Sequence, residues 1–266
     1  MRKFGFKFFS TNHQVAPTLM EESAAFIASK NDMFIELSAI CETSEEEFRQ
    51  IKEQLGDTEV RIHASIAGFD TGNREAEPQN RKILAVAQKA ADIFKSKTIV
   101  VHPGYGHGQK YLEETARQFK MFRDGRIVVE NMPYYDNNGD DMHGTTAEEI
   151  AYIMNESGCG FCFDFSHAIC AALNLNRDIE TQLSSFYALK PAVYHICDGD
   201  LNVAQDVHLH LGAGNFPLSH YLNDYTDENA YITLETGKGF ERSNDLRIKD
   251  YEYLRAVQNV SARGLS

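Results

Sequence analysis

Cysteine is scarce in this chain of 266 residues. The five present, Cys41, Cys159, Cys162, Cys170 and Cys197, are scattered. They are too few and too dispersed for a disulfide framework. The odd count, with no secretory signature, points to a reducing cytoplasm. No apolar run approaches the roughly 20 residues of a membrane span. Positive charge is also short: 26 Lys and Arg stand against 39 Asp and Glu, for a formal net charge of -13. That balance argues against holding nucleic acid by bulk electrostatics, although a local metal site stays open. There is no Gly/Ser-rich linker, and no Gly-rich dinucleotide fingerprint follows the first strand signal. The first ten residues are basic, then aromatic. They have no sustained apolar stretch or small-residue cleavage site, so they read as a strand and not as a leader.

What is present is an ordinary globular balance, 42% hydrophobic and 24% charged. The length fits one large domain or two small ones. Eight short β-rich runs recur, at 4–9, 34–40, 60–65, 98–102, 126–131, 160–165, 192–197 and 230–236. Their spacing, about 30 residues, is that of βα units. Helical patterning lies between them at 18–29, 44–55 and 80–94. Another helix starts from an expected capping box of Thr145 with Glu148 and stops at Gly158. Eight strands alternating with helices, without a break, predict a single (β/α)8 TIM barrel spanning 1–266. An open doubly wound sheet is the runner-up. Residues 132–144 form a long polar loop, of a length that in compact domains is usually functional or mobile.

In such a barrel the active site lies at the C-terminal strand ends. The third strand carries His63 there and the fourth His102. The fifth carries Glu130, the sixth Asp164 and His167, the seventh His195 and the eighth Glu235. A buried ionisable group without a partner is costly. Six successive strands ending this way converge on one mouth, where the charges compensate through each other or through metal. The set contains His, Asp and Glu and no Cys, a mix suited to Zn, Mn or Fe. Asp206 and His208 follow the seventh strand at i, i+2, a spacing that points both side chains the same way in an extended segment; His210 shares the parity.

These fragments resemble the endonuclease IV branch of the xylose-isomerase-like TIM barrels, over nearly the whole chain. The matching pieces are His63-Ala64, Val101-His102-Pro103-Gly104, Glu130-Asn131, Asp164-Phe165-Ser166-His167-Ala168 and His195-Ile196-Cys197-Asp198. Asp206-Val207-His208, Leu211-Gly212-Ala213-Gly214 and Leu234-Glu235-Thr236 complete the set. The resemblance implies three divalent ions, most often zinc, with Mn or Fe as alternatives. His63, His102 and Glu130 would hold one. Glu130 as a bridge, with Asp164, His195 and Glu235, would hold the second. His167, Asp206 and His208 would hold the third. It implies a metal-dependent hydrolase that cleaves abasic-site DNA or another phosphodiester, with Glu130 and Glu235 as its catalytic residues. Clustered cations suit that reaction because they activate water and clamp phosphate oxygens. The alternative is a sugar isomerase or epimerase of the same barrel, which needs only Glu130, Asp164, His195 and Glu235.

Three features depart from the DNA-cleaving members. Val207 stands where they carry Arg, Ser65-Ile66 where they carry Pro-Tyr, and the loop after the second strand is acidic from Glu42 to Glu47. These bear on the substrate more than on the metal chemistry. Arg74, Lys110 and Lys238 are candidate phosphate contacts or solvated loop charges. His107 and His143 lie in loops near the mouth, while His13 and His220 carry no motif. Cys159-Gly160-Phe161-Cys162 has a redox spelling but leads into a strand, which argues for a structural role. Glu36, placed at the end of strand two, and Asp198 each read as a second carboxylate behind a histidine ligand or as plain structure.

Overall fold

The computed structural model describes residues 1–237 and 243–263. Its strands are β1 (Lys3–Phe9), β2 (Met33–Ala39), β3 (Val60–Ala64), β4 (Ile99–Val101), β5 (Ile127–Glu130), β6 (Gly160–Asp164), β7 (Val193–Ile196) and β8 (Tyr231–Leu234). They close into one barrel in sequence order, every neighbouring pair parallel. Parallel neighbours need a crossover, which here is helical. The helices are α1 (Asn12–Val15), α2 (Pro17–Ala28), α3 (Glu45–Leu55), α4 (Glu77–Phe94), α5 (Gln109–Phe122), α6 (Ala147–Ser157), α7 (Phe165–Asn174), α8 (Ile179–Tyr187), α9 (Leu218–Asp224) and α10 (Asp245–Arg263). The (β/α)8 expectation is borne out. Among the described residues no helix is long and apolar enough to cross a membrane.

Local sequence explains the helix boundaries. Ser44 caps α3 by accepting from the Glu47 amide, and Glu47 accepts from the Ser44 amide in return, a complete capping box. At α6 the expected box is displaced by one residue. Extended Thr146 is the N-cap and accepts from the Glu149 amide, while Glu149 reaches back to Thr145. Glu148 instead points outward towards Arg177, at 3.5 Å. Gly158 ends the helix in the left-handed conformation, as the sequence suggested.

Side chains alternate across a strand, and the strands have two unlike faces. The outward residues, such as Phe4, Phe6 and Phe8 of β1, pack against the helices in the large core. A smaller core fills the barrel itself, with Val100, Val128, Cys162 and Val193 packed together and Tyr231 beside them. Close approach requires glycine here: a Cβ on Gly5 would lie 2.4 Å from the Phe34 ring. Two residues further along these same inward rows come Lys7, Glu36, His102, Glu130, Asp164 and His195, with Glu235 four residues beyond Tyr231. An apolar floor thus carries an ionisable layer.

Candidate metal centre

Register brings the first partners together. Lys7 is level with Glu36, Ser38 with His63, Asp164 with His195, and His195 with Thr233. Glu130, completely buried, lies at the centre. Its Oε2 is 3.2 Å from His63 Nε2 and 3.4 Å from His102 Nε2. Its Oε1 is 3.3 Å from His195 Nδ1 and 3.2 Å from His167 Nδ1. His195 Nδ1 also lies 2.7 Å from Glu235 Oε2 and 4.0 Å from Asp164 Oδ2.

Four atoms here are buried and make no hydrogen bond: Glu130 Oε1, Asp164 Oδ2, His195 Nδ1 and Glu235 Oε2. Buried polar atoms are normally satisfied, because an unmade hydrogen bond costs roughly 1–3 kcal/mol. These four residues have ligand atoms within 4.8 Å of one another. A divalent cation bound among them would satisfy all four. Four further groups meet the same criterion, and two of them bring in new residues at the mouth: His63 with His102 and Glu130, and His167 with Asp206 and His208. The other two, Glu36 with His63 and His195, and Glu130 with Cys162 and His195, reuse residues of these sets around His195. In the group of His167, Asp206 and His208 the contacts are close: His167 Nε2 is 3.3 Å from Asp206 Oδ2, and His208 Nε2 contacts the same oxygen. The donor sets therefore fit divalent metal.

The histidines are oriented for that work. Nδ1 of His63 bonds the Ala64 carbonyl at 2.7 Å, that of His167 the Asn131 carbonyl at 2.9 Å, and that of His208 the Glu235 carbonyl at 2.7 Å. Donating that N–H leaves Nε2 free as a ligand. His195 is reversed: Nε2 bonds Glu36 Oε2 at 3.0 Å, and Nδ1 faces the cluster. Glu36 lies mid-strand in β2 and not at its end. It also accepts from Thr233 Oγ1 at 2.8 Å. Of its two sequence readings, the carboxylate behind a histidine is the one this geometry matches. Replacing Glu36 by Ala is expected to weaken metal retention about 10- to 100-fold in competition with a chelator.

The electrostatics are those of a cation-seeking site. Burial opposes ionisation of Glu130, but His195, His102 and His167 outweigh it and hold the carboxyl well below its ordinary range. Burial, then the neighbouring carboxylates, push Asp164 up to about 6 despite His167. Burial alone would lower His208, yet Asp206 and Glu235 raise it to about 9. Against the same burial His167 is held high by Asp164, Asp206 and Glu130, and His195 by Cys162 and then by Glu36, Glu130 and Glu235. At neutral pH the metal-free site thus keeps protons on these imidazoles, and a metal must displace them. Titrating metal into chelator-treated protein at pH 7 is expected to release protons, read as a buffer-dependent binding enthalpy. The release should shrink as pH passes about 9. Linkage gives a companion sign. A raised His208 stabilises the metal-free fold fully below its ordinary value of 6.5, and this is lost as pH rises towards about 9. Melting temperature of the metal-free protein checks it.

Two expectations need correcting. Asp206 and His208 do meet, but not through extended parity: His208 has φ of +50°. That left-handed residue turns the chain so that its ring returns to Asp206. His210, of the same parity, is instead bonded to Asp250 at 2.7 Å and does not join the groups. Lys110 is not in a loop but in the first turn of α5, where its ammonium lies over the Tyr111 ring. It and Arg74 are exposed. Lys238 lies outside the described residues.

The flanking segments are structural. Asp198, buried, accepts four backbone amides: Gly199 and Phe216 on Oδ1, Gly212 and Gly214 on Oδ2. It thereby holds the loop that presents Asp206 and His208, and of its two readings plain structure is correct. The 132–144 loop folds back on itself, Met142 donating to Tyr134 and Met132 to Gly144, each at 3.0 Å. His143 inside it is wholly buried against Thr115 and pushed down to about 4 by that burial. His107 lies against the Tyr134 ring. His13 bonds the Ser10 carbonyl, and His220 pairs with Glu180 and Asp224 at the surface. Burial raises the Cys162 thiol to about 12, which leaves it inert.

Lys7 escaped sequence reasoning. Its ammonium ion-pairs with Glu235 and lies 3.7 Å from Glu36 Oε1. The available signal was strand parity: Lys7 continues the inward row of Gly5, between outward Phe6 and Phe8.

Comparison with known proteins agrees with this architecture. The family model described as "Xylose isomerase-like TIM barrel" matches residues 26–256. The chain belongs to that family. Within it, the chain is 25% identical over 261 residues to Endonuclease 4 of Thermus thermophilus, covering 91% of this chain and 94% of that one. The crystal structure of endonuclease IV from the same species superposes with a TM-score of 0.71 at 20% identity, over 97% of this chain and 99% of that one. A further Thermus thermophilus protein, soaked with zinc chloride, gives a TM-score of 0.67 at 18% identity, over 96% and 97%. The resemblance to the endonuclease IV branch is borne out.

Proposed function

We propose that this barrel is a metal-dependent phosphodiester hydrolase. The observation that carries the reading is the convergence of four buried, unbonded ligand atoms on Glu130, Asp164, His195 and Glu235, flanked by two more complete ligand groups. One group alone would serve a sugar isomerase, which needs a single ion beside a carbonyl. Three groups, two of them sharing Glu130, suit an ester whose attacking, bridging and leaving oxygens all need charge stabilisation.

In this reading His63, His102 and Glu130 hold one ion. Glu130, Asp164, His195 and Glu235 hold a second, and His167, Asp206 and His208 a third. The imidazole-rich sets favour zinc, while the carboxylate-rich second set also accommodates Mn or Fe. Divalent ions there would lower the pKa of water and neutralise phosphate oxygens. The protein's own part is orientation. Glu130 presents one oxygen to each of two groups, Glu36 fixes the His195 ring, and Asp198 fixes the loop carrying Asp206 and His208. Glu235 faces the cavity with one oxygen on Lys7 and the other on the cluster.

The resemblance in sequence to the endonuclease IV branch makes abasic-site DNA the reference substrate. Metal-loaded protein should be incubated with a duplex carrying one abasic site and with methyl p-nitrophenyl phosphate, a minimal diester. Metal-dependent hydrolysis of either supports the reading. Inertness towards both, with metals measured in the protein, together with isomerisation of an aldose, would replace it with the isomerase.

A further inference from the structure

The ligand groups open into one cavity of about 840 Å³, within the size range of small-molecule sites. His63, His102, Asp206, His208 and Glu235 line its acidic, imidazole-rich side. The rest of the lining is largely apolar and comes from several elements: Phe9 ends β1, Ile40 follows β2, Ile66 and Ala67 follow β3, and Val207 and Leu209 follow β7. Ile66 is 56% exposed, a large apolar side chain left uncovered at the mouth. Among the described residues, Lys7 is the sole lysine or arginine in the lining, and it lies at the floor. Across the rim, Gln205 donates to Asn137 at 3.4 Å, joining the loop after β7 to the loop after β5. The 132–144 loop that carries Asn137 also carries Asp136, Asp140 and Asp141, all partly or fully exposed.

A duplex laid over this mouth would meet apolar and acidic surface where its phosphates need cations. A small anion with an apolar body meets the reverse. Its phosphate faces the ligand groups and Lys7, and its body covers Ile66, Val207 and Leu209. Resting on the hydrolase reading above, we infer that the substrate is a small phosphodiester with an apolar or aromatic ester group, which binds along the Phe9–Ile40–Ile66–Val207 wall. Hydrolysis is the ordinary balanced step. Water oxygen forms a bond to phosphorus, the bond from phosphorus to the leaving oxygen breaks, and the proton of water passes to solvent.

Phenyl p-nitrophenyl phosphate and methyl p-nitrophenyl phosphate share a leaving group and differ in the body alone. The phenyl diester should show a kcat/KM at least about tenfold higher, mostly through KM, because its ring buries apolar surface the methyl ester lacks. Ile66→Asp should reduce that ratio to near unity. The abasic duplex should remain uncut under the same conditions. Equal use of the two diesters, or a preference that survives Ile66→Asp, would overturn the inference while leaving the hydrolase reading standing. Cleavage of the duplex ahead of both, with the steep salt dependence of phosphate-backbone binding, would overturn it too. No hydrolysis of any of the three, with metal confirmed bound, would remove the hydrolase reading itself.

Discussion

Glu130→Gln is expected to reduce hydrolysis by at least about a hundred- to a thousandfold, the scale on which removing one preorganised electrostatic partner falls. The substitution keeps shape and removes charge. Glu130 is completely buried, and its two oxygens face four imidazoles at 3.2 to 3.4 Å. An amide presents one oxygen and one N–H donor there, so one of its two sides turns a donor towards nitrogens that must themselves act as ligands. Both groups that share Glu130 should weaken together, and metal content should fall in step with rate. The check is kcat/KM and elemental analysis on the same preparation. A variant that keeps full activity would show that the bridge is not needed.

Asp198→Ala should be the most destabilising single change close to the site. The carboxylate accepts four backbone amides from 199 to 216 and is itself buried. Hydrogen bonds to a charged group are the stronger kind, and burying donors without their acceptor adds a further cost. The packing allows little escape. A Cβ on Gly214 would lie 2.1 Å from the Gly199 carbonyl, so the loop is already at its closest approach. The expected loss is about 3 kcal/mol, seen as a lower urea midpoint. Because the loop carries Asp206 and His208, retention of the ion proposed for His167, Asp206 and His208 should fall as well. Asp198→Asn, which keeps one acceptor oxygen, should lie between. A midpoint unmoved by Asp198→Ala would mean that the loop is held by other contacts.

Much of this was legible in the sequence. The eight strands were visible because parallel barrel strands are buried on both faces and read as short apolar runs. Six of the nine candidate ligands, His63, His102, Glu130, Asp164, His195 and Glu235, stood out because each puts an ionisable group at the C-terminal end of such a run. His167, Asp206 and His208 lie beyond the strands and were joined into a group through the resemblance. Three things were less visible. Lys7 lies mid-strand among phenylalanines, so its inward direction needed the parity of β1 as well as its residue type. The meeting of Asp206 with His208 rests on a left-handed residue that no periodicity encodes. The role of Glu36 depends on a partner 159 residues away, brought close by the barrel, and that of Asp198 on the fold of its own loop, whose Gly212 amide is 14 residues on. Packing of the 132–144 loop against α5 turned His143 from a candidate at the mouth into a buried partner of Thr115.

The central claim is that three ligand groups, and not one, hold metal. Elemental analysis of protein purified without chelator tests it most directly. About three divalent ions per chain are expected, one for each of the three groups proposed, falling to fewer in Glu130→Gln. A single ion per chain, retained in His63→Ala and His208→Ala but lost in Asp164→Ala, would contradict it and identify the four-residue group as the whole centre.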